Sequence, residues 1–417
     1  MRAGSFKLSF AARLAGALAC VFEPARLRRI AIMAALALSF TLLARLYVQS
    51  RVGLTDGLGH PFGEDFINFW AAPRLALLHR VGEVYDLARF QQFEMDTVGA
   101  DLHLHAYSYP PILILLTLPL GLVGYVPAYC LWQVAGWAGF ALCLRRLAPR
   151  SWLLAAVALP AVYLSLWGGQ NGLFTAAIIG AGLARLDKAP AQAGAILALM
   201  AYKPQFAPLI PVALLAGGHA RALLAFCATA LALTLAATLV FGIDIWPAYA
   251  QQAEMMRTLV LENGEGVWMR MLSAFVFLRH LGLPVAVSYA GQAAVSLGML
   301  AAVALTWRSS APREIKDSVL ALGLLLFSPY FSDYDLAVLA FVPFWLARVA
   351  PDAARPQWWL ATAGIALAPI LASPSAYLVG TAVGGALLLP AAALAVAMAR
   401  PYWGGWGSVA RRAAAAR

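Results

Sequence analysis

The chain has 417 residues, 62% hydrophobic and only 12% charged, with a mean hydropathy of +0.76. That is far beyond what a water-soluble core requires, so a soluble enzyme is excluded and an all-α polytopic membrane protein is expected. The net charge of +11 is dispersed over many short segments instead of gathered on one face, which argues against nucleic acid as a partner.

Residues 1–29 read as a cytoplasmic amphipathic segment, with Lys7 and Arg13 set among apolar residues from Phe6 to Phe22 as on a helix lying in the inner leaflet. A cleaved signal peptide fits poorly, because no small-residue cleavage site follows the first long apolar run, 30–49. That run is the first expected span, and an outer loop, 50–110, follows it. Within the loop, apolar and aromatic residues recur at three and four from Ile67 through Trp70, Leu75, Leu78, Val81 and Tyr85, with Arg74 and His79 interleaved. This spacing predicts juxtamembrane helices.

Segment 110–125 is apolar, yet crossing the membrane there would reverse every later span. It is expected as a half-helix at the outer surface, begun by Pro110-Pro111 and interrupted by Pro119. Apolar runs at 126–144, 151–167, 172–184, 191–202, 204–216, 221–242, 283–307, 317–329, 336–347, 358–372 and 376–399 follow. With the first they make about twelve spans of one integral domain, 30–399, several of them short enough to tilt or break. A second outer loop occupies 242–282, and a basic cytoplasmic tail 400–417.

Orientation follows from the basic residues, which are retained on the cytoplasmic side. Arg26, Arg28 and Arg29, then Arg145, Arg146 and Arg150, Arg185 and Lys188, Arg221, Arg308, Arg313 and Lys316, Arg348 and Arg355, and Arg400 with the tail all mark one side. Most acids mark the other, eight of them in the first loop. Both termini are therefore expected in the cytoplasm, with the protein in the inner (plasma) membrane and its two large loops outside.

Gly63-Glu64-Asp65-Phe66 puts two adjacent carboxylates just past the first span, where an ionisable group near hydrocarbon is costly and its default reading is functional. Other polar residues recur at the same outer level: Gln170 and Asn171, Lys203 in the turn Tyr202-Lys203-Pro204-Gln205, Asn263, Arg270, and Asp333 with Asp335. Arg74, in the first loop, joins the candidate substrate-binding residues. Cys20, Cys130, Cys143 and Cys227 are scattered without the spacing of a zinc site, and His103-x-His105 lacks a third ligand, so neither a metal nor another cofactor is expected. No nucleotide-binding signature appears, which leaves a substrate delivered by the bilayer or from outside. A lipid-linked-sugar flippase or transporter is the main alternative, although the polar groups cluster at one face and no internal repeat is evident. A noncatalytic scaffold is a third reading.

Four places carry a family resemblance: Asp65-Phe66 with Tyr85-Asp86; Tyr107-Ser108-Tyr109-Pro110-Pro111 with Pro119-Leu120; Gly169-Gln170-Asn171-Gly172 with Lys203-Pro204-Gln205; and Ser328-Pro329 running into Asp333-Tyr334-Asp335. Their order resembles glycosyltransferase family 87, the DUF2029 group of polyprenyl-phosphate-sugar-dependent membrane enzymes of the GT-C class. The resemblance implies a GT-C-like bundle and a membrane hexosyltransferase. It also implies a polyprenyl-phosphate sugar as donor, a glycolipid, glycan or protein as acceptor, and Asp65 as catalytic aspartate with Glu64 as its candidate partner. Mannose is the favoured sugar, although mannosyltransferases of the family often place histidine where this chain has Tyr334. In chemical terms, Asp65 would accept the proton of an acceptor hydroxyl, and Lys203 or Arg270 would stabilise the departing phosphate.

Overall fold

The computed structural model describes residues 24–264, 267–349, 356–380 and 383–403. The amphipathic helix expected at Phe6 to Phe22 and most of the basic tail lie outside them. The described residues form helices joined by turns and short loops, with only isolated β-bridges.

The first helix, α1 (Pro24–Gln49), is followed by α2 (Phe66–Leu77), a 3₁₀ turn (Val81–Tyr85) and α3 (Leu87–Val98) within segment 50–110. Then come α4 (Pro111–Gly121), α5 (Tyr125–Leu147), α6 (Trp152–Ala158), α7 (Pro160–Trp167), α8 (Gly172–Arg185) and α9 (Pro190–Ala198). The second half runs α10 (Leu209–Ala216), α11 (Ala220–Phe241), α12 (Ile245–Met256), α13 (Ala274–His280), α14 (Val285–Arg308), α15 (Arg313–Leu326), α16 (Val342–Val349), α17 (Pro356–Val379) and α18 (Leu389–Ala399).

Among the described residues, five helical stretches are long and apolar enough to cross a membrane: Arg28–Gln49, Tyr125–Leu147, Ala220–Phe241, Val285–Arg308 and Val383–Tyr402. Apart from the run 358–372, which lies within the 24-residue α17, the other expected spans are shorter pieces, and proline explains several breaks because it lacks the N–H that continues the ladder. Pro160 splits the run 151–167 into α6 and α7, and Lys203-Pro204 ends the run that began at Pro190. Helix α4 starts at Pro111 with Pro110 as its cap, and its eleven residues reach about 16 Å, roughly half a hydrocarbon core. Pro119 does not interrupt it. It sits in the last turn, where little helix remains to be broken, and the helix ends at Gly121.

Apolar side chains point outward along the long helices, as lipid demands: Met33, Leu36, Phe40 and Leu43 on α1, and Leu224, Leu231, Leu235 and Leu239 on α11 are exposed. Helix α15 is the opposite case. Its charged first turn gives way to residues 319–326, apolar all round and buried throughout, and it packs on α14. Helix α9 packs on α11, α5 on α8, and α2 on α4, while α1 stands at the rim against α6 and α7. The buried 3₁₀ segment Asp333–Phe341 lies against α8. Nine residues is long for a 3₁₀ helix, a geometry that often marks a functional segment.

Candidate active site

The turn before α2 sets the site. Gly63 has φ +80° and Glu64 φ +52°, a left-handed pair that sends the two adjacent acids in different directions. Asp65 becomes the residue preceding the first turn of α2, whose buried face (Phe66, Ile67, Phe69, Trp70) fixes the helix in the core. The Asp65 side chain stays about one-third exposed.

A second turn closes on the first. At Gly169, with φ +60°, an added Cβ would sit 2.2 Å from the Gly63 carbonyl oxygen, so only glycine lets the two backbones meet. The next residue, Gln170, donates its side-chain amide to Asp65 Oδ2 at 2.5 Å. The Gly169 carbonyl accepts from Trp132 Nε1 at 3.0 Å, tying this turn to α5. Gly172 allows the start of α8 to touch the Tyr334 carbonyl, which a Cβ would approach to 2.2 Å. Three segments distant in sequence thereby converge.

Arg270 enters from segment 242–282. Its Nε and Nη2 both donate to Asp333 at 3.1 Å, and its Nη1 lies 3.9 Å from Asp65 Oδ2. Burial opposes the charge on this guanidinium, but Asp333 more than compensates and holds it above its ordinary range. Asp333 is itself pushed up by burial, against the pull of Arg270. Lys203, 1% exposed, forms a buried ion pair with Asp335, and its ammonium sits over the rings of Tyr334 and Phe206 at 5.1 and 5.4 Å. Burial pulls Lys203 below its ordinary range and the Asp335 carboxylate works against that pull. Asp335 also accepts from the Ser332 backbone N–H at 3.0 Å and completes a capping box with the Ser332 side chain.

Asp65, Gln170, Arg270, Asp333, Lys203 and Asp335 therefore gather in one place, with buried Asn171 beside Gln170 on the same turn. Glu64 and Arg74 do not join them. Glu64 turns to α1, where it pairs with Arg45, accepts from Gln49 Nε2 at 2.8 Å and lies 3.5 Å from His60. Arg74 lies nine positions along α2 and donates to the Gly121 carbonyl at 3.0 Å, binding α2 to α4. The His-x-His pair is divided as well: His105 Nε2 is 3.9 Å from Asp65 Oδ1, while His103 packs edge-on against His60. Among the described residues no group of three or more His, Cys, Asp or Glu side chains is arranged to hold a metal ion.

Two participants gave little warning in the sequence. His105 stands out only as half of a metal motif, and its place beside Asp65 depends on how the first loop folds back. Glu94, on the amphipathic helix α3, is fully buried, and neither carboxylate oxygen is hydrogen-bonded among the described residues. Burial first, and the nearby Asp65 charge second, push it well above the usual carboxylate range.

The arrangement offers a partly exposed carboxylate, oriented by an amide donor, with a guanidinium beside it over a buried polar base. It can accept a proton and stabilise an anionic leaving group in one step. The family model for glycosyltransferase family 87 matches residues 107–329, just over half of the chain and including Gln170, Asn171, Lys203 and Arg270. No curated protein and no solved structure matches the chain.

Proposed function

The chain belongs to glycosyltransferase family 87, and we propose that it transfers a sugar, with mannose the favoured one, from a polyprenyl-phosphate donor to a glycolipid, glycan or protein acceptor. The observation that carries this reading is Arg270 Nη1 standing 3.9 Å from the partly exposed Asp65 carboxylate. A base and a phosphate-binding cation are side by side, in a setting where the bilayer delivers the donor.

In the proposed step the acceptor hydroxyl oxygen attacks the anomeric carbon and its proton passes to Asp65. The bond from that carbon to the phosphate oxygen breaks, and the polyprenyl monophosphate departs toward Arg270. Gln170 holds the Asp65 carboxylate in place. The buried Lys203–Asp335 pair, under Tyr334, supplies a rigid charged base rather than a direct contact with the reacting atoms. A monophosphate leaving group carries less charge than a nucleoside diphosphate, so one or two cations suffice. We also read residues 30–399 as a single GT-C-like domain of about twelve crossings, short ones included, in the inner membrane. By the distribution of basic residues we read both termini as cytoplasmic and the Asp65 end as outside.

The test is sugar transfer by purified protein in nanodiscs, with radiolabelled polyprenyl-phosphate-mannose and membrane lipid extract. Transfer lost with Asp65→Asn supports the reading. Donor crossing a sealed bilayer with no transfer favours a flippase instead.

A further inference from the structure

Residues 100–109 run between α3 and α4 without regular structure, and their burial is uneven: Leu102, His105 and Tyr107 are buried while Asp101, His103 and Leu104 are exposed. Tyr107 packs on the rings of Tyr85, Phe90 and Tyr109, and Gln91 Nε2 donates to the Leu102 carbonyl at 3.2 Å, which fixes the segment on both sides of His105. The backbone N–H of His103 donates to the Gly59 carbonyl at 3.0 Å, so His103 is held as well.

The His103 carbonyl decides the form of the buried imidazole. His105 Nδ1 lies 2.7 Å from that oxygen, which can only accept, so Nδ1 carries the hydrogen and a neutral ring keeps its lone pair on Nε2. Nε2 faces Asp65 Oδ1 at 3.9 Å. The other carboxylate oxygen is taken: Gln170 donates to Oδ2 at 2.5 Å, and Arg270 Nη1 stands 3.9 Å from it. A lone pair and a carboxylate oxygen thus face each other with nothing to join them until a proton lies between. About 1 Å of approach brings them to hydrogen-bond length, a step that rotation of the one-third-exposed Asp65 side chain supplies.

We propose that His105 takes from Asp65 the proton that Asp65 removes from the acceptor. The proposal rests on Asp65 being the base, as read above, and adds where the proton goes. The acceptor oxygen bonds to the anomeric carbon as the bond from that carbon to the phosphate oxygen breaks, and the electron pair leaves with the phosphate. The hydroxyl proton reaches Asp65, then His105 Nε2, and passes to water after the product departs. Asp65 returns to its carboxylate form, and the proton gained by the imidazole balances the negative charge gained by the phosphate. His105 works through Asp65 and touches no reacting atom, so it is a positioning residue.

Sugar transfer from radiolabelled polyprenyl-phosphate-mannose to membrane lipid extract is measured in nanodiscs for wild type, His105→Asn and His105→Ala at equal folded abundance. Asparagine keeps an N–H for the His103 carbonyl but offers Asp65 no ring nitrogen, and alanine leaves room for free imidazole. Both variants should lose about tenfold or more in kcat with donor KM little changed. Imidazole should restore much of the loss in His105→Ala and none in the double variant His105→Ala with Asp65→Asn. Wild-type kcat in His105→Asn, or a loss in His105→Ala that imidazole leaves unchanged, makes His105 a structural brace and overturns the proposal while the base reading stands. Normal transfer by Asp65→Asn alone fails the base reading, and the proposal with it.

If wild type transfers nothing from this donor, nitrogen-15 NMR of the histidine rings decides. The titratable groups near the ring are Asp65, His103 and His60, with Arg270 and Glu94 around Asp65. A hydrogen on Nδ1, and an Nε2 that takes up its proton at lower pH in Asp65→Asn than in wild type, uphold the pair, because the carboxylate favours the charged ring. A neutral ring with its hydrogen on Nε2, or a titration that Asp65→Asn leaves unchanged, overturns it.

Discussion

Gly169 meets Gly63 backbone to backbone, so closely that a Cβ on Gly169 would sit 2.2 Å from the Gly63 carbonyl oxygen and 2.7 Å from Phe66 Cβ. Gly169 also has φ +60°. The contact locks the turn that carries Gln170 onto the turn that carries Asp65. Gly169→Ala should therefore lower stability by about 1–3 kcal/mol through strain and the forced shift. Because Gln170 would move from Asp65, transfer should fall more than abundance does. Thermal unfolding in detergent beside transfer per folded enzyme checks both.

Lys203 and Asp335 are each nearly fully buried and are 132 residues apart in sequence. Removing one partner strands a buried charge. Lys203→Met or Asp335→Leu alone should destabilise by about 3–5 kcal/mol, whereas the double variant Lys203→Met with Asp335→Leu should recover a good part of the loss. A double-mutant cycle by thermal unfolding measures it, and additive losses would deny the coupling.

Arg270 makes two parallel hydrogen bonds to Asp333 while a third nitrogen faces Asp65. A lysine cannot reproduce that fork. Arg270→Lys should cut kcat/KM for the lipid donor by roughly 10–100-fold, in line with losing one or two charge-assisted hydrogen bonds. The check is steady-state kinetics with donor varied.

Glu94 gives a pH prediction. Its carboxyl is buried without a hydrogen-bond partner among the described residues, and burial raises it well above the usual 4.5. The folded state then holds a proton that the unfolded state releases. Stability from this group is present below about pH 4.5 and is lost as pH rises toward the folded value. Glu94→Gln, which cannot ionise, should be more stable than wild type at neutral pH, with an advantage that grows between pH 5 and 7. Melting temperatures of the two proteins across that range check the sign.

Much of this site is legible one turn at a time. Asp65, Gln170, Lys203 and Asp333 stand out because each is a polar residue at the end of an apolar run, where ionisable groups are costly. Their pairing is not legible: nothing near Lys203 names Asp335, and nothing near Arg270 names Asp333. The adjacent acids show the limit best. The resemblance favours Asp65 and keeps Glu64 as its partner, but the positive φ at Glu64 and the anchor of Arg45 and Gln49 on α1, neither legible in the sequence, turn Glu64 away from the site. The fold divides similarly. The five long apolar helices follow from composition, while proline breaks shorten the remaining runs to pieces whose depth depends on what they pack against.

Asp65, and not its neighbour, is the proposed base. Sugar transfer from radiolabelled polyprenyl-phosphate-mannose in nanodiscs tests this, comparing wild type, Asp65→Asn and Glu64→Gln at equal folded abundance. Asp65→Asn should lose about 10²–10⁴ in rate while Glu64→Gln, which keeps a partner for Gln49, should retain most of it. Near-normal transfer by Asp65→Asn, or a loss of equal size in Glu64→Gln, would contradict it.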